Sequence, residues 1–139
     1  MNPPKVLCLT KIYHPNIDYE GHVCLNILRD KEWTPIMTIE QVVQGISFLF
    51  YEPNAEDPLN KAAAEVMGKD ISLFQRKIRE TFYGGFYEGF AFYPIHYSFL
   101  RIVLDNNSKD NQSNMYNHLI YWFSSSNERA YFFLLVSFM

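Results

Sequence analysis

Hydrophobic residues between positions 39 and 50 recur with the period of an amphipathic helix, so they share one stripe along it. The stripe consists of Ile39, Val42, Val43, Ile46, Leu49 and Phe50. Thr38 and Gln41 match a capping box, in which each side chain accepts a hydrogen bond from the other residue's backbone N–H. We therefore predict a helix that begins after Thr38, packs this stripe into the core and ends at Glu52-Pro53-Asn54.

The flanking segments predict one strand and two shorter helices. Residues 5–10 (KVLCLT) favour a strand. Further along, the pattern favours a helix over 61–67 that Gly68 ends, and another that begins at Asp70 or Ser72 and stops at Gly84-Gly85. Strand and helix in one chain of 139 residues indicate a single α+β domain with enough chain to bury a core.

The composition changes near Tyr83. Of the 12 Phe, 2 Trp and 10 Tyr residues, 16 lie from that position onward. Residues 105–114 have the polar composition of a disordered segment, and the aromatic segments 115–123 and 131–138 that follow are each too short to span a membrane. These segments could pack on the domain, anchor a partner or lack selected structure. We expect residues 95–139 to be a poorly ordered tail.

The charge and cysteine content restrict the class of protein. A net charge of −3 provides no basic surface for nucleic acid or for an anionic membrane, so neither is expected as a partner. The sequence shows no signal-peptide pattern and no apolar run long enough for a transmembrane helix. Two cysteines make no disulfide framework. We expect a soluble intracellular protein.

A zinc site is not expected among Cys8, His14, His22 and Cys24. No pair has the C-x-x-C or H-x-x-x-H spacing of metal-ligand couples. Cys8 lies inside the predicted strand, where a small buried side chain is the simpler interpretation.

Residues 13–28 combine a bend, a turn and a cysteine. Pro15 makes the backbone rigid, and Gly21 allows a tight turn because it adopts positive φ without steric cost. This turn would fold the chain back and bring the Asn16 amide near the Cys24 sulfur. A thiol beside an amide donor suits acyl-thioester chemistry, because the amide can stabilise an oxyanion that forms at a carbonyl on the sulfur.

These residues resemble the active site of ubiquitin-conjugating enzymes. The resemblance rests on His14-Pro15-Asn16, Gly21 and Cys24-Leu25, on the longer segments KIYHPNIDYEGHVCLNILR (11–29) and LFYEPNAEDPLNKAAAEV (49–66), and on Trp33 and Pro35. The long segments are most similar to the branch that conjugates the ubiquitin-like modifier used in neddylation. The resemblance covers Pro3 to Pro94, about two-thirds of the chain. It implies a partial ubiquitin-conjugating core domain at 1–94 and an unrelated tail at 95–139.

The resemblance implies a transferase. Cys24 would accept the modifier's C-terminal acyl group from an activating enzyme as a thioester and pass it to a substrate lysine. Asp57 matches an acidic residue that borders the active cysteine in the family, where a carboxylate can orient the incoming lysine. Asn16 has two interpretations that do not exclude each other, an oxyanion donor and a brace for the loop backbone.

The same resemblance implies supporting roles around the cysteine. His14 could be a general base, but in the family this histidine mainly holds the active-site loop by hydrogen bonds, and we prefer that role here. Leu59 and Asn60 would line the same cleft, and Asn60 also matches the N-cap of the helix that follows it.

The partners implied are a ubiquitin-like modifier, an activating enzyme and a ligase of the RING type or associated with a cullin. Trp33, Pro35 and Ile36 match a loop that contributes to contacts with the ligase and the activating enzyme, with core packing as the alternative for Trp33. No cofactor is implied, because the activating enzyme consumes the ATP upstream. The expected location is the cytoplasm and nucleus.

The implied fold is α+β, with residual antiparallel strands packed on the central helix and with further helices after it. Family members carry an N-terminal helix and about three strands ahead of the segment that begins here at Pro3. We expect a truncated form that lacks them. Two alternatives follow: a catalytically inactive interaction module that keeps the conjugating-enzyme surface, and an enzyme that carries ubiquitin instead of the neddylation modifier.

Overall fold

A computed structural model describes residues 3–94 and the backbone of three short strands beyond them. The elements in chain order are β1 (Lys5–Cys8), a 3₁₀ turn (Asn26–Leu28), α1 (Ile39–Tyr51), α2 (Lys61–Lys69), α3 (Ile71–Phe82), β2 (Gly85–Tyr87), β3 (Phe90–Phe92), β4 (Ile102–Asp105), β5 (Leu119–Tyr121) and β6 (Leu135–Ser137). The strands pair antiparallel as β1–β4, β2–β3 and β5–β6. The predicted α+β class is confirmed.

Helix α1 is the centre of the core, as its pattern predicts. The capping box is formed: the Gln41 side chain accepts from the Thr38 N–H at 2.8 Å, and the Thr38 hydroxyl accepts from the Gln41 N–H at 3.4 Å. The buried members of the stripe are Val42, Val43, Ile46 and Leu49. Three of them share one cluster with Val6 and Cys8 of β1 and with Ile17 and Leu25. Strand β1 and the segment after it therefore pack directly on α1.

The shorter elements differ from their predicted bounds in two places. Strand β1 ends at Cys8 and does not reach Thr10. Helix α2 continues through Gly68 to Lys69, so the predicted stop at that glycine is wrong. A glycine within a helix costs about 1 kcal/mol relative to alanine, and the Asp70 N–H still donates to Val66 at 2.9 Å, which keeps the last turn closed.

Asp70 is the N-cap of α3, since its carboxylate accepts from the Leu73 N–H at 2.9 Å. The helix ends at Phe82, and Gly84 follows with a φ of +89°. Within the described residues no helix combines the length and hydrophobicity that a bilayer crossing requires.

The β2–β3 hairpin was not predicted. Its two-residue turn places Glu88 at φ +50° and Gly89 at φ +84°, the positive pair that a type I′ hairpin turn needs. Phe92 of β3 is buried in a second cluster with Tyr13, Ala63 and Phe74. The hairpin thus covers the side of the domain where α2 and α3 pack around Tyr13.

The predicted tail contains the backbone of β4, β5 and β6. Strand β4 pairs with β1, with Leu7 opposite Val103 and Cys8 opposite Ile102. The expected disorder at 105–114 and the aromatic segments 115–123 and 131–138 otherwise lie outside the residues that the structure describes.

Candidate active site

The turn before Cys24 folds the chain back, as predicted. The Gly21 N–H donates to the Asp18 carbonyl at 3.1 Å, and the Asp18 N–H donates to the His22 carbonyl at 3.2 Å. Two residues later the Cys24 N–H donates to the Asn16 carbonyl at 2.9 Å. The turn therefore brings the backbones of Asn16 and Cys24 side by side.

Gly21 also fastens this turn to β1. The Cys8 N–H donates to the Gly21 carbonyl at 2.7 Å. Gly21 has a φ of +93°, and a Cβ there would lie 2.2 Å from the Cys8 carbonyl oxygen. Only glycine fits so close an approach at this φ.

The two thiols have very different surroundings. Cys8 is 3% exposed, and burial raises the pKa of its thiol to about 12, with an interaction of the Thr10 backbone acting in the opposite direction. Cys24 is half-buried and follows the turn. Because the thiolate is the nucleophilic form of cysteine, Cys24 is the thiol of the chain that is open to acyl chemistry.

The Asn16 side chain joins two loops. It is 2% exposed; its Nδ2 donates to the Asn54 carbonyl at 2.8 Å, and its Oδ1 accepts from the Asn54 N–H at 2.8 Å. A weaker contact of 3.5 Å joins Nδ2 to the Asp57 carbonyl. This geometry is that of the predicted brace, and the oxyanion role of the amide stays a prediction.

His14 is buried and holds the same bend. Its Nδ1 accepts from the Asn16 N–H at 3.0 Å, which leaves Nε2 to donate to the Leu49 carbonyl at 3.2 Å. Burial lowers the pKa of His14 to about 4, opposed by the bond to Leu49. The ring is therefore neutral near pH 7, and both of its nitrogens are engaged in hydrogen bonds within the protein.

Asp57 lies on the loop between α1 and α2 and points to the cysteine region. Its carboxylate forms an ion pair with Arg29, whose Nη2 also lies 4.0 Å from the Cys24 sulfur. The Arg29 and Asp57 side chains are 48% and 60% exposed. These contacts, to the Cys24 sulfur first and to Asp57 next, raise the pKa of Arg29, so its guanidinium is a fixed positive charge.

Sequence reasoning did not single out Arg29. The residue stands in the polar run Arg29-Asp30-Lys31-Glu32, which has the composition of an ordinary surface loop. Its partner Asp57 is 28 positions away, so no local spacing connects the two. The signal that could have found it is its place five residues after the cysteine, at the end of the segment 11–29.

Asn60 and Leu59 end the Asp57 loop. The Asn60 N–H donates to the Pro15 carbonyl at 2.9 Å, and its Oδ1 accepts from the Ala63 N–H at 3.0 Å. Asn60 thus caps α2 and ties it to the bend beside His14. Leu59 is exposed on the same loop.

The loop before α1 divides into a packed and an open part. Trp33 packs against the core cluster of α1, which agrees with the core-packing alternative for this residue. Pro35 is exposed and Ile36 is 86% exposed. An apolar side chain held so far into solvent is available to a partner surface.

In the described part of the chain, no group of three or more His, Cys, Asp or Glu side chains could hold a metal ion. The chemistry that the site offers is that of a half-buried thiol at the edge of two braced loops, next to a guanidinium and a carboxylate. This set suits nucleophilic attack on an activated acyl carbon.

Comparison with known proteins points to one family. The ubiquitin-conjugating enzyme family matches residues 1–82. The NEDD8-conjugating enzyme ubc12 of Schizosaccharomyces pombe is 53% identical over 91 residues, which are 66% of this chain and 51% of that protein. The NEDD8-conjugating enzyme Ubc12 of Arabidopsis thaliana is also 53% identical over 91 residues, covering 66% of this chain and 48% of its own length.

A solved structure shows the same likeness in three dimensions. The S. cerevisiae Ubc12 structure aligns with a TM-score of 0.62 at 47% identity, over 66% of this chain and 49% of that one. The chain spans about half the length of the curated relatives it matches.

Proposed function

Since this chain belongs to the ubiquitin-conjugating enzyme family, we propose that it carries a ubiquitin-like modifier as a thioester on Cys24 and passes it to a lysine. The observation that carries the proposal is the half-buried Cys24 thiol beside Arg29 and Asp57, in a segment where the chain is about half identical to NEDD8-conjugating enzymes.

The first step exchanges one thioester for another. The Cys24 thiolate attacks the carbonyl carbon of the modifier's C-terminus, which arrives as a thioester on the activating enzyme. A new S–C bond forms, the bond to the activating enzyme's sulfur breaks, and that sulfur leaves as a thiolate. The oxyanion that develops needs a hydrogen-bond donor. We propose the Asn16 amide for it, in addition to the bracing bonds with Asn54.

The second step makes the amide bond. The acceptor lysine arrives as an ammonium and loses one proton to solvent. The neutral amine attacks the Cys24 thioester, the C–N bond forms, Cys24 leaves as a thiolate, and the nitrogen loses a second proton to solvent. Asp57 is exposed beside Cys24 and supports this step by orienting the lysine side chain. A carboxylate attracts a lysine ammonium group that comes within contact distance.

The partners of these steps follow from the same reasoning. The modifier is of the NEDD8 class, the donor is its activating enzyme, and a RING-type or cullin-associated ligase positions the acceptor. The exposed Pro35 and Ile36 support a contact surface for the ligase or the activating enzyme.

The test is a charging reaction with activating enzyme, ATP and either NEDD8 or ubiquitin. We expect an adduct with NEDD8 that dithiothreitol removes and that Cys24→Ala abolishes. Cys8→Ala is the matched control and should still be charged, because that thiol is buried behind the turn. When both modifiers compete, NEDD8 should be preferred.

Two other outcomes would decide for the alternatives. No adduct with either modifier, together with binding to a ligase, would replace the enzyme by an interaction module. A preference for ubiquitin would keep the transferase and change its modifier.

A further inference from the structure

The Arg29 guanidinium lies between the Cys24 thiol and the Asp57 carboxylate, the nucleophile and the amine-orienting group of the proposed function. Its Nη2 is paired with the Asp57 carboxylate and lies 4.0 Å from the Cys24 sulfur. The same guanidinium nitrogen therefore serves both partners. We call this three-residue contact the Arg29 bridge.

Both ends of the Arg29 bridge are fixed by backbone contacts. The backbone N–H of Arg29 donates to the Asn26 carbonyl at 3.0 Å. The Arg29 carbonyl accepts from the backbone N–H groups of Glu32 and Trp33, each at 2.9 Å. Trp33 in turn packs on the core. The bridge thus spans two loops that are each held in place independently, because the Asp57 loop is held by Asn16 through Asn54.

We propose that Arg29 is a positioning residue that occupies Asp57 while Cys24 is uncharged and yields this carboxylate to the acceptor amine at the transfer step. The inference rests on the proposed function. It adds a competition between two cations, the guanidinium and the incoming lysine, for one carboxylate.

The charges around the sulfur change in a direction that suits this exchange. Before charging, a thiolate on Cys24 attracts the guanidinium, whose Nη2 lies 4.0 Å from the sulfur. Once the S–C bond of the thioester has formed, the sulfur carries no negative charge, and Arg29 retains only Asp57. Both side chains are half in solvent, where water and salt weaken the pair, so an approaching lysine can displace it without unfolding either loop.

A double-mutant cycle on the transfer step tests the competition. The charged chain is mixed with increasing concentrations of free lysine, and the decay of the thioester gives a limiting rate and a half-saturating lysine concentration. In Arg29→Gln the half-saturating concentration should fall about two- to fivefold, the range that a surface ion pair supports, with the limiting rate unchanged. In Asp57→Asn it should rise.

The decisive comparison is Arg29→Gln in the Asp57→Asn background. There the substitution should have no effect, because the carboxylate that it frees is absent. Arg29→Lys keeps the positive charge and should stay close to the parent chain. An equal effect of Arg29→Gln in both backgrounds, or no effect in either, would overturn the competition.

A second measurement does not depend on charging. The alkylation rates of Cys24 by anionic iodoacetate and by neutral iodoacetamide are compared, with Cys24→Ala as the background for Cys8. A guanidinium near the sulfur favours the anionic reagent, so Arg29→Gln should lower the ratio of the two rates several-fold, and Arg29→Lys should preserve it.

The two measurements separate the possible failures. An unchanged alkylation ratio would remove Arg29 from the neighbourhood of the sulfur and overturn the bridge, whatever the activity of the chain. A parent chain that accepts no modifier, with a ratio that still depends on Arg29, would refute the proposed function and the transfer role while the contact itself stands.

Discussion

Single residues hold the candidate site together through bonds to backbone atoms that lie far away in sequence. Asn16 satisfies both backbone groups of Asn54, which is 38 positions later. His14 reaches the carbonyl of Leu49, 35 positions later. The bend at residues 14–16 is therefore a junction between the cysteine turn, the end of α1 and the Asp57 loop.

Asn16→Ala should destabilise the fold. The substitution leaves the N–H and the carbonyl of Asn54 without these partners, and unsatisfied groups of this kind cost roughly 2–3 kcal/mol. Urea denaturation at pH 7 measures the loss. Asn26→Ala, at an exposed position in the 3₁₀ turn near the cysteine, is the matched control and should change stability by less than about 0.5 kcal/mol. Equal losses in the two variants would contradict the bracing role.

His14 should make stability depend on pH between about 4 and 6.5. Its pKa falls from 6.5 to about 4 on folding, so the unfolded chain binds the proton more readily. The contribution is complete above pH 6.5 and is lost as the pH falls toward 4. The full effect is on the order of 3 kcal/mol.

The measurement is denaturation at a series of pH values in the parent chain and in His14→Gln. The variant should be less stable at pH 7, but its stability should fall less steeply between pH 6.5 and 4. Asn26→Ala changes no titratable group at an exposed position of the 3₁₀ turn, and it should keep the slope of the parent. If the stability of His14→Gln falls with pH as steeply as that of the parent, a group other than His14 causes the pH dependence.

At the scale of elements, local chemistry decided which predictions succeeded. Helix α1 was predictable because its cap and its apolar stripe lie within 13 residues of sequence. The end of α2 was not, since a glycine stops a helix only where the chain also adopts positive φ there, and Gly68 does not. The β2–β3 hairpin escaped notice because its turn uses Glu88-Gly89, a less usual pair than Asn-Gly.

Two glycines allow a matched test of these element rules. Gly21→Ala should cost at least about 2 kcal/mol, because it strains a φ of +93° and drives a Cβ into the Cys8 carbonyl. Gly68→Ala meets nothing within 4 Å and should stabilise α2 by about 0.5–1 kcal/mol. Thermal melts should show a lower melting temperature for Gly21→Ala and a higher one for Gly68→Ala. A stabilised Gly21→Ala would mean that the turn does not dock on β1.

The site could be predicted from sequence only in part for the same reason. Cys24, Asn16 and the turn between them lie within nine residues, and their spacing was enough to predict that their backbones lie side by side. The Arg29–Asp57 contact joins loops 28 residues apart. Such a contact depends on how α1 orients the two loops. That orientation cannot be predicted from the identity or the sequence neighbours of either residue.

At the scale of the whole molecule, β1 connects the candidate site to the later strands. One edge faces the cysteine turn, where the Cys8 N–H donates to Gly21. Because backbone N–H groups alternate between the two edges of a strand, the Leu7 N–H points to β4, where Val103 lies opposite Leu7.

Val103→Pro should affect the amide on one edge of β1 and leave the amide on the other edge protected. Proline removes the N–H of residue 103 and cannot sustain the ladder, so the Leu7 amide should exchange with solvent roughly tenfold faster or more. The Cys8 amide should keep its protection, and it serves as the internal control. Hydrogen exchange followed by NMR distinguishes the two amides. Unchanged exchange at Leu7 would show that β4 does not pair there in solution.

Tyr19 links the cysteine turn to the other end of the described domain. Its ring stacks on Phe90 with centroids 3.9 Å apart, and its hydroxyl donates to Glu88 at 2.7 Å, 69 positions later. A ribosome synthesises the chain from its N-terminus, so the Cys24 sulfur emerges well before the hairpin that contacts its turn. The order of synthesis therefore delays the finished site until nearly all of residues 3–94 have been translated.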